Sequence, residues 1–243
     1  MVDPRISIID ERIRGVSRII AVSSGKGGVG KSLLASTLSL ISARKGYRVG
    51  LFDLDFTSPS THIILGLEET CPVEDKGIIP PLIHGLRYMS IIYYSSGRAT
   101  PLRGTDFSNA FIELLSVTNW GSLDFLVLDM PPGIGDATLD VIRLMKRPRF
   151  LLVTTSSPLA FETVRKLVCM LKELNVPIVG IVENMKTGSS NIQQECRKLN
   201  VSFLGEIIYD PMVEETLGKV DSLLETAFAK ETTKLLEYLV KTV

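Results

Sequence analysis

Short runs rich in Ile, Val, Leu and Phe alternate along the chain with helix-length amphipathic stretches. That alternation predicts a parallel sheet with helices on both faces. The expected strands are 18–23, 48–53, 86–91, 125–129, 150–154, 178–182 and 202–206. The expected helices are 31–44, 107–117, 136–145, 160–174, 192–199 and 221–240. Several strands are apolar on both faces, as strands buried between two helix layers must be. The fold class is therefore α/β, a three-layer, doubly wound, mainly parallel sheet. With 243 residues and no internal repeat, low-complexity tract or linker, the expectation is one domain over residues 1–243. The stretch 67–104 is less regular: it carries one expected strand, and Pro72, Pro80, Pro81 and Pro101 break anything longer. A loop that long in a compact domain usually has a job or needs a partner for order.

Charge and cysteine content narrow the setting. Lys plus Arg and Asp plus Glu number 27 each, so no overall field draws the chain to nucleic acid or to an anionic membrane. Residues 1–18 mix Asp3, Asp10 and Glu11 with four arginines and hold no apolar core of a secretory signal. No apolar run approaches the roughly 18 residues of a membrane span. The expectation is a cytoplasmic protein that is not integral to a membrane. Cys71, Cys169 and Cys196 are odd in number and far apart, with no Cys-x-x-Cys anywhere, which fits a reducing compartment.

The chemistry begins at residue 18. A strand is followed by Gly25-Lys-Gly-Gly-Val-Gly-Lys-Ser32 and at once by a helix, the strand–loop–helix setting that the G-x-x-x-x-G-K-[ST] phosphate loop requires. Gly25, Gly27, Gly28 and Gly30 let backbone N–H groups converge on phosphate oxygens, and the helix N-terminus adds its positive end. Lys31 is expected on the β and γ phosphates and the Ser32 hydroxyl on Mg²⁺, with Val29 and Leu33 completing the nucleotide contacts. Lys26 cannot easily fold back onto its own nucleotide, but it can reach a phosphate in a neighbouring subunit and act in trans, as an arginine finger does. A solvated loop lysine is the plainer alternative.

A phosphate loop needs carboxylates at neighbouring strand ends. Asp129 is assigned to the magnesium water shell, Asp53 to support behind the metal, and Asp55 to the attacking water; strand-end capping is the alternative for all three. After Asp129 comes Met-Pro-Pro-Gly-Ile-Gly-Asp136, stiff and then free, which suits a switch whose Gly133 amide senses the γ-phosphate. A simple turn explains it equally. No Asn-Lys-x-Asp is present, so adenine is favoured over guanine, with Asn184 and the backbone near Pro211 as candidates for its polar edge.

These motifs together resemble a family. Ser24 to Ser32 is similar to the deviant Walker A loop of the MinD/ParA-like ATPases, with Lys26 at the signature position. The segments 101–104 (Pro-Leu-Arg-Gly), 120–136 (Trp-Gly-Ser-Leu-Asp-Phe-Leu-Val-Leu-Asp-Met-Pro-Pro-Gly-Ile-Gly-Asp), 182–185 (Val-Glu-Asn-Met) and 205–211 (Gly-Glu-Ile-Ile-Tyr-Asp-Pro) resemble the Mrp/ApbC branch, cytosolic iron–sulfur cluster carriers that bind ATP as homodimers. The resemblance implies a P-loop NTPase fold of the MinD/ParA type, ATP and Mg²⁺ at a two-fold interface, Lys26 reaching across it, Asp55 near the attacking water, and an iron–sulfur client or scaffold as partner.

Two departures stand out. The switch reads Asp53-Leu-Asp-Phe-Thr-Ser-Pro-Ser60, with Ser58 where the family has glycine. The stretch after Glu-Asn-Met, where carriers place Cys-x-x-Cys, holds only Cys196, on an expected helix and suited to a core thiol. Two such cysteines in a dimer fall short of the four thiolates of the usual cluster.

The competing reading is a MinD/ParA-like positioning or partitioning ATPase acting on a membrane or a partner protein. The C-terminal segment sets Leu224, Phe228, Leu235 and Leu239 on one side, while its polar face mixes Glu225, Glu231 and Glu237 with Lys230, Lys234 and Lys241. That pattern suits core packing better than a membrane anchor. A small-molecule phosphotransferase is disfavoured by Lys26.

Overall fold

The computed structural model describes residues 5–67, 71–95 and 105–242. The motif 101–104 and two further parts of the irregular stretch, 68–70 and 96–100, lie outside the described residues. The strands are β1 (Val16–Ser24), β2 (Val49–Asp53), β3 (Val73–Glu74), β4 (Ile78–Ile79), β5 (Leu82–Ile83), β6 (Leu86–Ser90), β7 (Leu123–Asp129), β8 (Arg149–Thr154), β9 (Ile178–Lys186) and β10 (Phe203–Ile208). The helices are α1 (Arg5–Arg12), α2 (Lys31–Arg44), α3 (Thr61–Ile64), α4 (Ile92–Ser95), α5 (Thr105–Val117), α6 (Asp136–Leu144), α7 (Pro158–Glu173), α8 (Ile192–Lys198), α9 (Met212–Thr216), α10 (Val220–Glu225) and α11 (Ala227–Thr242).

Eight strands form one sheet in the order β10-β9-β8-β1-β7-β2-β6-β5, parallel throughout except for the β5–β6 hairpin at its edge. Two cores fill its faces. One packs Ile9 of α1, Phe111 of α5, Val141 of α6, Leu167 of α7 and Cys196 of α8 beneath Phe52 and Leu128. The other packs Leu34 and Leu38 of α2, Leu223 of α10 and Leu235 of α11 over Leu51 and Val127. The doubly wound α/β layering is thus present. Adjacent strand residues such as Leu51 and Phe52 serve opposite cores, which is why these strands read as continuous apolar runs.

The helix α2 begins and ends where expected, although it is scarcely amphipathic. Residues on all its sides are buried, and Ser39 and Ser42 satisfy their hydroxyls on the Ala35 and Leu38 carbonyls. Three differences from the sequence reading have identifiable causes. The last helix is two: Thr226 is extended (φ −63°, ψ 159°), and Asp210 Oδ2 accepts from the N–H groups of Ala227 (3.0 Å) and Phe228 (3.4 Å), capping a fresh helix start. The unexpected helix α1 is held by tertiary contacts, with Ile9 and Ile13 buried and the Arg12 guanidinium donating to the carbonyls of Lys76 (2.7 Å) and Ser116 (3.1 Å). Within 67–104, β3 pairs with β4, and β5 turns into β6 through His84 (φ 48°) and Gly85 (φ 84°), two left-handed residues as a tight hairpin demands.

Candidate functional site

Parallel pairing brings the carboxyl ends of β1, β2 and β7 to one edge of the sheet. The register sets Val22 beside Asp129 and Asp129 beside Asp53. Beyond Ser24 the chain leaves β1 in a loop that ends on Gly30 (φ 79°), left-handed and without a side-chain cap, so that the first N–H groups of α2 keep no side-chain acceptor. Two loop glycines are required by close approach: a Cβ on Gly25 would lie 2.1 Å from Thr163 Oγ1 of α7, and one on Gly30 would lie 2.2 Å from Asn184 Nδ2. The loop is pinned from behind. Asn184 Nδ2 donates to the Val29 carbonyl at 2.9 Å, Ser24 Oγ donates to the Lys26 carbonyl at 2.9 Å, and the Val29 side chain is buried.

This loop borders a groove of about 650 Å³ whose walls include Lys26, Lys31, Ser32, Leu33, Asp55 and Met185. Its size suits a small ligand such as a nucleotide. Lys26 is exposed and lines the groove. Lys31 is buried: its ammonium lies 2.5 Å from Asp129 Oδ1 and 3.1 Å from Ser32 Oγ. The second oxygen, Asp129 Oδ2, is buried with no hydrogen-bond partner among the described residues. Burial pushes the Asp129 carboxyl above its ordinary range, against the pull of the Lys31 charge.

Asp53 is fully buried. Its Oδ1 accepts from the Asp55 N–H (3.0 Å), and its Oδ2 accepts from the Thr61 N–H (3.2 Å) and hydroxyl (2.6 Å). Burial and then the Asp129 charge push its carboxyl up to about 7, with the Thr61 hydroxyl and Lys31 opposing. Asp55, which lines the groove, accepts on its Oδ1 from Thr57 Oγ1 at 3.0 Å and from the Ser58 N–H at 3.2 Å. Ser58, in the position where glycine was noted, therefore uses its N–H to hold Asp55.

The remaining expected residues fall nearby with other engagements. Gly133 (φ 88°) donates its N–H to the Ser24 carbonyl at 2.9 Å, so a sensing role would require that bond to exchange. Asn184 is buried and committed to the phosphate loop. Pro211 precedes α9, beside the groove wall made by Val213, Glu214 and Leu217. Sequence reasoning missed Thr61, Met185 and that wall. Thr61 had a sequence cue, a hydroxyl-rich run after a strand-end aspartate; the wall had none, since only chain closure brings α9 to the loop.

The cysteines do not converge. Cys196 is buried in the core, its thiol pushed up to about 11 by burial and by the charges of Glu183 and Glu195, while Cys169 is half-buried and Cys71 exposed. Among the described residues no three His, Cys, Asp or Glu side chains are gathered to hold a metal ion. None of the described helices is long and apolar enough to cross a membrane.

Comparison with known proteins agrees with this geometry. Residues 15–243 match the ParA family model, described as the NUBPL iron-transfer P-loop NTPase. The chain is 36% identical over 231 residues to the iron–sulfur cluster carrier protein of Aquifex aeolicus, covering 88% of this chain and 64% of that one. It is 37% identical over 223 residues to the carrier protein of Escherichia coli K12, covering 85% and 60%. It therefore spans about three fifths of the length of these curated relatives. Among solved structures, the nucleotide-binding protein of Archaeoglobus fulgidus in complex with ADP superimposes with a TM-score of 0.77 at 31% identity, over 90% of this chain and 93% of that one. The cell division ATPase MinD of Pyrococcus furiosus shares the fold, with a TM-score of 0.68 at 23% identity over 93% and 100%.

Proposed function

The chain belongs to the ParA family of NUBPL iron-transfer P-loop NTPases, and from that premise we propose that it is a Mg-ATP-driven switch, dimerising on ATP and hydrolysing it slowly, in the service of iron–sulfur cluster assembly or carriage. The observation that carries the reading is the groove itself. A glycine loop ends in an uncapped helix start, with Lys31 and Ser32 beside two strand-end carboxylates.

The residues fit the groups they would hold. The converging N–H groups of 25–33 suit phosphate oxygens. The Ser32 hydroxyl, with the unpartnered Asp129 Oδ2 behind it, offers the hard oxygen donors that Mg²⁺ prefers. Bound there, Mg²⁺ would supply positive charge to offset that of the phosphates. Lys31 exchanges its bond to Asp129 for phosphate oxygens, Asp53 holds the backbone of Asp55 in place, and Asp55 orients water. Lys26, exposed and lining the groove, reaches the nucleotide of a second copy, and the Gly133 amide trades the Ser24 carbonyl for the γ-phosphate. Adenine lies toward the 210–211 turn, and Asn184, committed to the Val29 carbonyl, acts by holding the phosphate loop. These assignments keep residues 1–243 as one ATPase domain acting in the cytoplasm.

The cargo is the open side of the proposal. Cys196 is sealed in the core and cannot stand in for a cysteine pair without unfolding its surroundings, so the iron–sulfur cluster is handled with a client or scaffold protein that supplies thiolates. The test is anaerobic reconstitution with iron and sulfide beside a phosphate-release assay. ATP turnover with no iron retained by the chain alone supports a switch with a partner; a stable cluster on the isolated protein overturns the division of labour. Absence of turnover and of ATP binding overturns the whole reading.

A further inference from the structure

One hydroxyl beneath the groove ties the nucleotide-side carboxylate to a neighbouring strand. The register pairs Leu51 with Tyr88 and Asp53 with Ser90. Because strand side chains alternate, Leu51, Asp53, Tyr88 and Ser90 share one face, with the Tyr88 ring one pleat back from Asp53. Thr61 opens α3 directly above and bridges them: its hydroxyl is 2.6 Å from Asp53 Oδ2 and 2.9 Å from the Tyr88 hydroxyl. Asp53, Thr61 and Tyr88 are all fully buried.

The direction of these bonds follows from the donor count. A threonine hydroxyl has one proton, and an ionised carboxylate only accepts. With Asp53 ionised, Thr61 donates to Asp53 and must accept from Tyr88, so Tyr88 is the next donor along a chain that ends on the carboxylate. Without it, the Thr61 hydroxyl keeps its own bond but loses the donor that fixes its rotor. The ring itself is held separately, in the core and edge-on to Tyr93 at 5.8 Å between centroids. Phenylalanine can therefore fill the same place.

We propose that Tyr88 is a positioning residue of the nucleotide site: acting through Thr61, it holds the Asp53 carboxylate in the orientation from which that group supports the bound metal and fixes the backbone of Asp55. This inference rests on the reading of the groove as a Mg-ATP site. It assigns a role in that site to a residue of β6 that does not line the groove and lies within the irregular stretch 67–104.

The test uses the full chain and Mn²⁺ as an EPR probe of the metal in the ATP complex, beside ATP affinity in EDTA and thermal unfolding. Tyr88→Phe is expected to weaken Mn²⁺ binding to the ATP complex about threefold to tenfold, the span of one neutral hydrogen bond, with ATP affinity in EDTA unchanged. Thr61→Val should weaken Mn²⁺ at least as much, Thr61→Ser should restore it, and adding Tyr88→Phe to Thr61→Val should change nothing further. Wild-type Mn²⁺ affinity in Tyr88→Phe, whatever its melting temperature, or additive losses in the double variant, would overturn the inference alone. Failure of the wild-type chain to bind ATP would instead remove the nucleotide reading and this inference with it.

Discussion

Asp53 and Asp129 stand opposite each other at the ends of neighbouring parallel strands, two buried carboxylates sharing one buried lysine, which is bonded to the second of them. Two like charges so close to one cation form a costly arrangement in a protein interior. It becomes reasonable where a bound cation and a polyphosphate are part of the working state. That relationship generates the first predictions.

Burial, and then the Asp129 charge, push the Asp53 carboxyl from an ordinary 3.8 up to about 7. Between about pH 4 and pH 7 the folded state then holds a proton that the unfolded chain has released. Stability of the nucleotide-free protein should fall as pH rises through that window, by up to about 1.4 kcal/mol per pH unit, and level off above it. Urea unfolding at several pH values checks this, and Asp53→Asn should flatten the profile. A wild-type protein whose stability rises from pH 5 to pH 7, with Asp53→Asn behaving alike, contradicts the assignment.

Lys31→Met should abolish ATP binding by removing the phosphate-loop cation. It should also destabilise the nucleotide-free protein by about 3 to 5 kcal/mol near pH 8, because Asp129 is left buried without its cation. The loss should shrink toward pH 5 as the carboxyls protonate. Calorimetric titration with ATP and denaturant melts separate the two effects.

The loop glycines should divide sharply. Gly30→Ala combines a left-handed φ of 79° with a Cβ 2.2 Å from Asn184 Nδ2, so it should cost about 1 to 3 kcal/mol and weaken ATP binding. Gly27, whose added Cβ meets nothing within 4 Å, should accept alanine with a stability change under about 0.5 kcal/mol. Thermal melts of the two single variants suffice.

Much of this was legible beforehand, and the reasons differ by element. The phosphate loop and α2 were readable because the glycines and Lys31 are demanded locally, by phosphate geometry at a helix start. The strands β2 and β7 were readable because burial on both faces keeps 49–52 and 125–128 free of polar side chains up to their terminal aspartates. The Lys31–Asp129 pair, the Thr61–Tyr88 half of the bridge and the α9 wall of the groove join residues far apart in sequence, so no local pattern marks them. The break at Thr226 had a local mark, since the Thr226 hydroxyl accepts from the Ala229 N–H at 3.2 Å as an N-cap, but its other cap, Asp210, lies outside the helical periodicity on which the single-helix expectation rested.

That cap is testable. Asp210→Ala removes the acceptor of the Ala227 and Phe228 N–H groups and should destabilise the protein by about 1 kcal/mol, with faster amide exchange confined to the first turn of α11. Uniform exchange along α11 would show that the helix start is fixed by packing instead.

The thiols should respond in order of exposure. Native protein at pH 8 should be alkylated at exposed Cys71 while Cys196, buried and pushed up to about 11, reacts only on unfolding. Peptide mapping after a timed iodoacetamide pulse reads both. Rapid native labelling of Cys196 would reopen it as a ligand for the cluster.

The central claim is a switch that closes on ATP with a lysine supplied by the second copy, and mass in solution tests it most directly. Sedimentation velocity in saturating Mg-ATP, beside phosphate release, should show wild type shifting from monomer to dimer and turning over. Lys26→Ala should bind ATP, remain monomeric and lose turnover. A Lys26→Ala protein that dimerises and hydrolyses like wild type, or a wild type that turns over fully as a monomer, would contradict the account.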